Sequence, residues 1–192
     1  MIVAYVRVIA GTYRGRRLRT AEGLRVRPTS DRSRETLFNI LARRIEGSLF
    51  LDVCAGSGAV GIEALSRGAR AVTFIEQSRR ACSVMESNLD ALDVSNTTIL
   101  NRDALSALRK LNDRGDRFDI IFFDPPYASE IYAPVLKLIG GGALLADEGI
   151  VVVEHHSKRP PAEGYGLLRV YRTVRQGESA FTFYSRAELE SS

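Results

Sequence analysis

From residue 49 onward, short apolar runs alternate with stretches whose apolar residues recur every three or four positions. The runs are residues 49–54 (LFLDVC), 71–76 (AVTFIE), 97–100 (TTIL), 118–123 (FDIIFF) and 150–154 (IVVVE). Near-continuous hydrophobicity of this kind belongs to strands covered on both faces, as in a parallel sheet. Between the runs, IEALSRG predicts a helix closed by Gly68. Helical spacing returns in Val84, Met85, Leu89 and Leu92, in Ala104, Leu105, Leu108 and Leu111, and in Ile131, Val135, Leu138 and Ile139. Strands alternating with helices imply right-handed crossovers and an α/β fold. Near the end the pattern changes: LLRVYRTV and AFTFYS, joined by RQGES, predict an antiparallel hairpin.

Residues 3–18 predict a second, smaller hairpin, with GTYRG as its turn and RRLR returning. A polar, basic loop then ends at Pro28. Thr29, Ser30 and Asp31 are candidate caps for a helix carrying Leu37, Phe38, Leu41 and Ile45, with Gly47 ending it. The expected organisation is a basic N-terminal arm, residues 1–28, and a main domain, residues 29–188. At 192 residues and 45% hydrophobic composition the chain can bury a substantial core. No apolar run has the length of a membrane span, and the N-terminus reads as a strand, not a signal peptide, so a cytoplasmic protein is expected. Cys54 and Cys82 have no CxxC partner and read as small buried filler. His155 and His156, adjacent on a strand end, point to opposite faces, and no metal site is expected.

The charge is uneven. Residues 1–44 hold 11 arginines against 3 carboxylates, a net +8, although the whole chain is only +4. Arginine forks match phosphate geometry and stack on bases, so this asymmetry points to a nucleic-acid footprint; a merely solvated basic face is the competing reading. Arg14, Arg16, Arg17 and Arg19 are its densest cluster.

Candidate chemistry sits at the strand exits. LDVCAGSGAVG places Gly56, Gly58 and Gly61 in GxGxxG spacing directly after a strand, which lets the backbone turn sharply and approach a ligand. The motif alone is weak. Asp52, four residues before Gly56, suits a cationic ligand and repels a pyrophosphate, which favours S-adenosyl-L-methionine over a dinucleotide. Glu76, at the end of the next run, can accept from ribose hydroxyls. Asp103, in NRDAL, can accept from an adenine amine or simply cap the next helix.

The run FDIIFF leads into Asp124, Pro125, Pro126 and Tyr127. An exocyclic amine on a nucleobase is a poor nucleophile, because its lone pair is delocalised into the ring. Two acceptors gripping its protons would re-aim that lone pair. The Asp124 carboxylate and the Pro125 carbonyl can be those acceptors, held by proline rings that fix the backbone. Tyr127 offers a face for the base to stack on.

The order LDVCAGSG, IE, RDA, DPPY resembles the class I S-adenosyl-L-methionine-dependent methyltransferases that modify exocyclic amines. That resemblance implies a Rossmann-like, seven-stranded, mostly parallel sheet with an antiparallel C-terminal hairpin. RVIAGTYRGRRL, RPTSDRSRETLFNIL and LADEGIVVVEH narrow it: the chain resembles the RsmD family, which methylates N2 of a guanine in bacterial 16S rRNA. The resemblance implies that Asp52, Gly56 and Gly58 contact the methionine part of the cofactor, Glu76 the ribose and Asp103 the adenine. It implies that Asp124, Pro125 and Tyr127 hold the guanine, and that Arg14, Arg16, Arg17 and Arg19 meet phosphate. RPTSDR, with Arg27, Thr29 and Arg32, would border cofactor or RNA. The implied partner is 16S rRNA in an assembled or nearly assembled small subunit, met by a monomer, with the target base everted. Adenine-N6 methylation of DNA or RNA, and a non-catalytic assembly factor that binds the same cofactor, are the alternatives.

Overall fold

The computed structural model describes residues 5–20 and 31–187. The chain divides into two compact units, residues 1–104 and 105–192. The expected boundary at 28/29, the proposed caps Thr29 and Ser30, and Arg27 lie outside the described residues.

The first unit opens with β1 (Tyr5–Arg7) and β2 (Arg17–Arg19), an antiparallel pair in which Val6 faces Leu18. Period-2 alternation buries those two and exposes Tyr5, Arg7, Arg17 and Arg19. Helix α1 (Asp31–Ile45) follows, with Leu37, Phe38, Leu41 and Ile45 buried as their spacing predicts, and Gly47, at φ +73°, turns the chain out of it. Then come β3 (Leu49–Val53), α2 (Ala59–Ser66), β4 (Ala71–Glu76), α3 (Arg79–Asp90) and β5 (Thr97–Asn101). The three strands are parallel, in the order β5-β4-β3. Phe50, Phe74, Ile75 and Met85 are fully buried between sheet and helices, and the Phe50 ring stacks on Phe38 at 6.5 Å.

The hairpin is fastened to α2. Glu63, wholly buried, accepts the N–H groups of Ile9 and Ala10 at 2.8 and 3.0 Å and pairs with Arg67. Ser66 accepts the Tyr13 N–H through its hydroxyl and the Thr12 N–H through its carbonyl. Gly11 is required here: a Cβ on it would stand 1.7 Å from the Ser66 carbonyl oxygen. Not all the arginines of this region form surface. Arg34 is buried and donates to the Arg7 carbonyl and Asp31, and burial lowers its pKa.

The second unit contains α4 (Ala104–Asp113, which starts at the boundary), β6 (Phe118–Phe123), α5 (Tyr132–Gly141), β7 (Leu145–His156), β8 (Gly164–Tyr165), β9 (Leu168–Gln176) and β10 (Ser179–Arg186). Its strands run β6-β7-β10-β9-β8, with β6 and β7 parallel and the later pairs antiparallel. The α/β reading and the antiparallel C-terminal hairpin are therefore borne out. The two units hold 3 and 5 such strands, eight among the described residues where seven were expected. The extra one is β8, two residues too short to leave a periodic signal. Strand β7 also starts five residues before the IVVVE run, in a segment whose Asp147 and Glu148 hide it from a search for apolar runs. No described helix is long and apolar enough to cross a membrane.

Candidate active site

In the first unit, β3 carries Asp52 into the interior, where it is 2% exposed. Its Oδ2 accepts the N–H of Gly61, in the first turn of α2, at 2.9 Å. Burial pushes its pKa up to about 7, against the pull of that hydrogen bond, and the Glu76 charge adds to the rise. A carboxylate under that strain gains most from a cation brought beside it, so the site fits the sulfonium and ammonium charges of S-adenosyl-L-methionine.

The turn after β3 is left-handed at three positions: Cys54 (φ +67°), Gly56 (φ +56°) and Gly58 (φ +78°). Cys54 corrects an expectation. It is half-exposed, not buried filler, and a residue with a Cβ in this region costs about 1–2 kcal/mol. The glycines serve different ends. A Cβ at Gly56 would meet nothing within 4 Å, which leaves room for a ligand; one at Gly61 would lie 2.2 Å from the Phe74 ring. Gly61 permits helix–strand contact. It is also already inside α2, which begins three residues before the expected IEALSRG segment.

Glu76 ends β4 with both oxygens held: Oε2 accepts Gly56 N–H at 2.9 Å and Oε1 accepts Ser78 N–H at 2.7 Å. Each oxygen keeps a further lone pair, so the fixed carboxylate can still accept from hydroxyl donors. The helix cap of α3 is Ser78, whose hydroxyl accepts Ala81 N–H. Asp103 is exposed, immediately before α4. Pattern reading missed Asn88. Buried on α3, it accepts Arg19 N–H at 2.8 Å and donates to the Arg19 and Ser57 carbonyls, tying the glycine loop to the hairpin. Only its depth in α3 reveals it; an asparagine in a polar helix stretch carries no sequence signal.

Arg14, Arg16, Arg17 and Arg19 are all exposed. Arg16 differs from the others, because its Nη2 donates to the Ala91 carbonyl beyond α3 at 2.5 Å. Arg32, in the first turn of α1, is exposed.

In the second unit, β6 delivers Asp124, half-buried, then Pro125, buried, and Tyr127, half-buried. Two unpredicted residues converge on them. The Tyr132 hydroxyl lies 3.3 Å from the Pro125 carbonyl oxygen and 3.2 Å from that of Glu154. The Tyr127 hydroxyl lies 3.4 Å from Glu154 Oε1, and its ring meets His156 edge-on at 5.7 Å. Glu154, 4% exposed, reads in sequence only as the polar end of a strand, and Tyr132 as the start of a helix. His155 is tied into the sheet by Thr182 Oγ1 at 2.8 Å, and burial lowers its pKa.

A family model described as conserved hypothetical protein 95 matches residues 6–185. A curated relative from Escherichia coli strain K12, "Ribosomal RNA small subunit methyltransferase D", is 36% identical over 91% of this chain and 93% of its own. The chain belongs to the RsmD family. A second relative, "Putative rRNA methyltransferase YlbH" of Bacillus subtilis, is 34% identical over 94% of this chain and 99% of its own. The RsmD-family chain also matches a solved Escherichia coli structure described as "Putative methyltransferase yhhF", with 36% identity, TM-score 0.81, and coverage of 95% and 98%.

Proposed function

We propose that this RsmD-family chain transfers a methyl group from S-adenosyl-L-methionine to small-subunit ribosomal RNA, at the exocyclic N2 of one guanine. The observation that carries this reading is the division of labour along the chain. Residues of the first unit suit a cationic nucleoside, and residues of the second suit an aromatic amine.

When bound, the cofactor supplies an electrophilic methyl carbon on a sulfonium. Asp52 balances its positive charge, Glu76 accepts from its ribose, the loop at Gly56 and Gly58 borders its methionine part, and Asp103 accepts from its adenine amine. Asp124 and the Pro125 carbonyl accept hydrogen bonds from the two amine protons of the target, and the Asp124 carboxylate would receive the one proton that methylation displaces. The nitrogen is thereby drawn toward a pyramidal geometry with its lone pair free to attack, and Tyr127 stacks the base. Arg14, Arg17 and Arg19 meet phosphate. The substrate is 16S rRNA in an assembled or nearly assembled small subunit, and the enzyme works as a cytoplasmic monomer.

The test is to incubate the protein with unmethylated small subunits and labelled S-adenosyl-L-methionine, digest the RNA to nucleosides and map the label. N2-methylguanosine at one position is expected. Label in N6-methyladenosine would replace the guanine reading with the adenine one, and no incorporation would leave a binding protein.

A further inference from the structure

Guanine and adenine differ in what they set beside the exocyclic amine. Guanine offers three protons in a row: two on N2 and one on the adjacent ring N1. Adenine offers two on N6, and its adjacent N1 is a bare acceptor. A clamp of two acceptors fits either base. A third acceptor beside the amine fits guanine alone.

The second unit holds such a group. Phe123 and Val153 are paired in register near the ends of parallel β6 and β7, and the next residues of the two strands are Asp124 and Glu154. The Glu154 carbonyl shares the Tyr132 hydroxyl with the Pro125 carbonyl, so one phenol ties the segment after β6 to β7. The Glu154 side chain reaches the hydroxyl of Tyr127, the ring assigned to the base. A carboxylate has about four lone-pair sites and can accept from several donors at once, the Tyr127 hydroxyl among them.

We propose that Glu154 is a specificity-determining residue, whose carboxylate accepts the N1–H of the target guanine while Asp124 and the Pro125 carbonyl accept the two N2 protons. This rests on the guanine-N2 reading above. With adenine in the clamp, the carboxylate would face the N1 lone pair, two acceptors with no proton between them. Sites built to receive a hydrogen bond reject analogues that lack it far more strongly than apolar pockets reject a change of size. The competing role for Glu154 is structural: to hold the Tyr127 ring and nothing more.

The two roles separate with 2-aminopurine. This base keeps the N2 amine in place but has a bare N1. Small subunits are reconstituted with guanine or 2-aminopurine at the mapped target, and methyl transfer is measured for wild type, E154Q and Tyr127→Phe. Wild type is expected to favour guanine by about a hundredfold or more in kcat/KM. The E154Q amide can turn its NH2 toward a bare N1, so its preference should collapse by at least about tenfold, with guanine turnover falling and 2-aminopurine turnover held or raised. Tyr127→Phe removes the same hydroxyl contact and should keep the preference. If E154Q slows both bases equally, or if Tyr127→Phe collapses the preference as E154Q does, Glu154 is only a support. If wild type makes no N2-methylguanosine at all, the functional reading itself fails, a result distinct from either.

Discussion

Asp52 Oδ2 and Gly61 N are joined by a 2.9 Å hydrogen bond that ties the end of β3 to the first turn of α2. Asparagine could accept the same bond without a charge. The folded pKa, about 7, stands above the ordinary 3.8, so the folded chain holds this proton more tightly than the unfolded one. The group's contribution to stability is therefore greatest at low pH, falls as pH rises from about 4 to about 7, and is flat above. Asp52→Asn should stabilise the cofactor-free protein by about 1–4 kcal/mol at pH 8, measured by urea unfolding. The same variant should lose about tenfold to a hundredfold in S-adenosyl-L-methionine affinity. In wild type, that affinity should decline below pH 7 with uptake of a proton by the free site, read by calorimetry in buffers of different ionisation enthalpy. Unchanged cofactor affinity in Asp52→Asn would remove the carboxylate from the donor site.

Gly61, the donor of this bond, and Gly56, in the loop before it, should respond differently to alanine. At Gly61 the added carbon would lie 2.2 Å from Phe74, so Gly61→Ala forces helix and sheet apart and should cost about 1–3 kcal/mol of stability. Gly56→Ala meets open space and carries only the left-handed backbone penalty, about 1 kcal/mol. Its cofactor affinity should nevertheless fall more than that of Gly61→Ala, because the methyl group takes the room the loop keeps for a ligand. Equal losses of affinity per unit of lost stability would make both glycines structural.

Much of this was legible in the sequence. The strand–helix alternation and the GxGxxG turn follow from periodicity and from backbone sterics, which act over a few residues. Asp52, Glu76 and Asp124 could be singled out because they lie at or near strand exits, where parallel sheets commonly bind ligands. What stayed hidden depends on contacts between distant positions. Glu63, which lies in the IEALSRG segment with no signal of its own, is a buried anchor for Ile9 and Ala10, more than fifty positions away. Glu154 and Tyr132 gain meaning only once β7 lies beside β6 and α5 folds back. Cys54 gains it only from its dihedral angle. Arginine counting has the same limit, since charge in sequence does not say which guanidinium is buried, and Arg34 is.

The exposed face of the hairpin gives a graded prediction. Arg17 and Arg19 stand on the outer face of β2, opposite Arg7 and Tyr5 of β1, and Arg14 lies in the exposed turn. Replacing Arg14, Arg17 and Arg19 with alanine should weaken RNA binding and lower the slope of log affinity against log salt by about 0.7–0.9 for each phosphate no longer neutralised. Stability and cofactor affinity should hardly move. Arg16→Ala should behave otherwise, because its bond to the Ala91 carbonyl holds the hairpin to α3, and its removal should also cost about 1 kcal/mol of stability. Filter binding over a salt series, beside thermal melts, checks both; a triple variant with an unaltered salt slope would move the RNA footprint elsewhere.

The clamp admits a test that separates holding a group from supplying it. Asp124 is assigned a direct grip on the amine, so Asp124→Ala should abolish methyl transfer, by about a thousandfold or more, while the cofactor binds as before. Tyr132 acts one step back. Its hydroxyl has one proton and two carbonyl neighbours at 3.3 and 3.2 Å, so it can steady the Pro125 carbonyl. Tyr132→Phe keeps the ring against Phe123, 5.6 Å between centroids, and removes only the hydroxyl. Its cost to stability should be about 1 kcal/mol, that of an ordinary hydrogen bond. Its cost to kcat should be about tenfold, since a Pro125 carbonyl free to tilt grips the second amine proton less well, with KM for RNA little changed. A Tyr132→Phe variant with wild-type kcat would mean that the proline pair alone fixes the carbonyl, and that the phenol serves only to join β6 to β7.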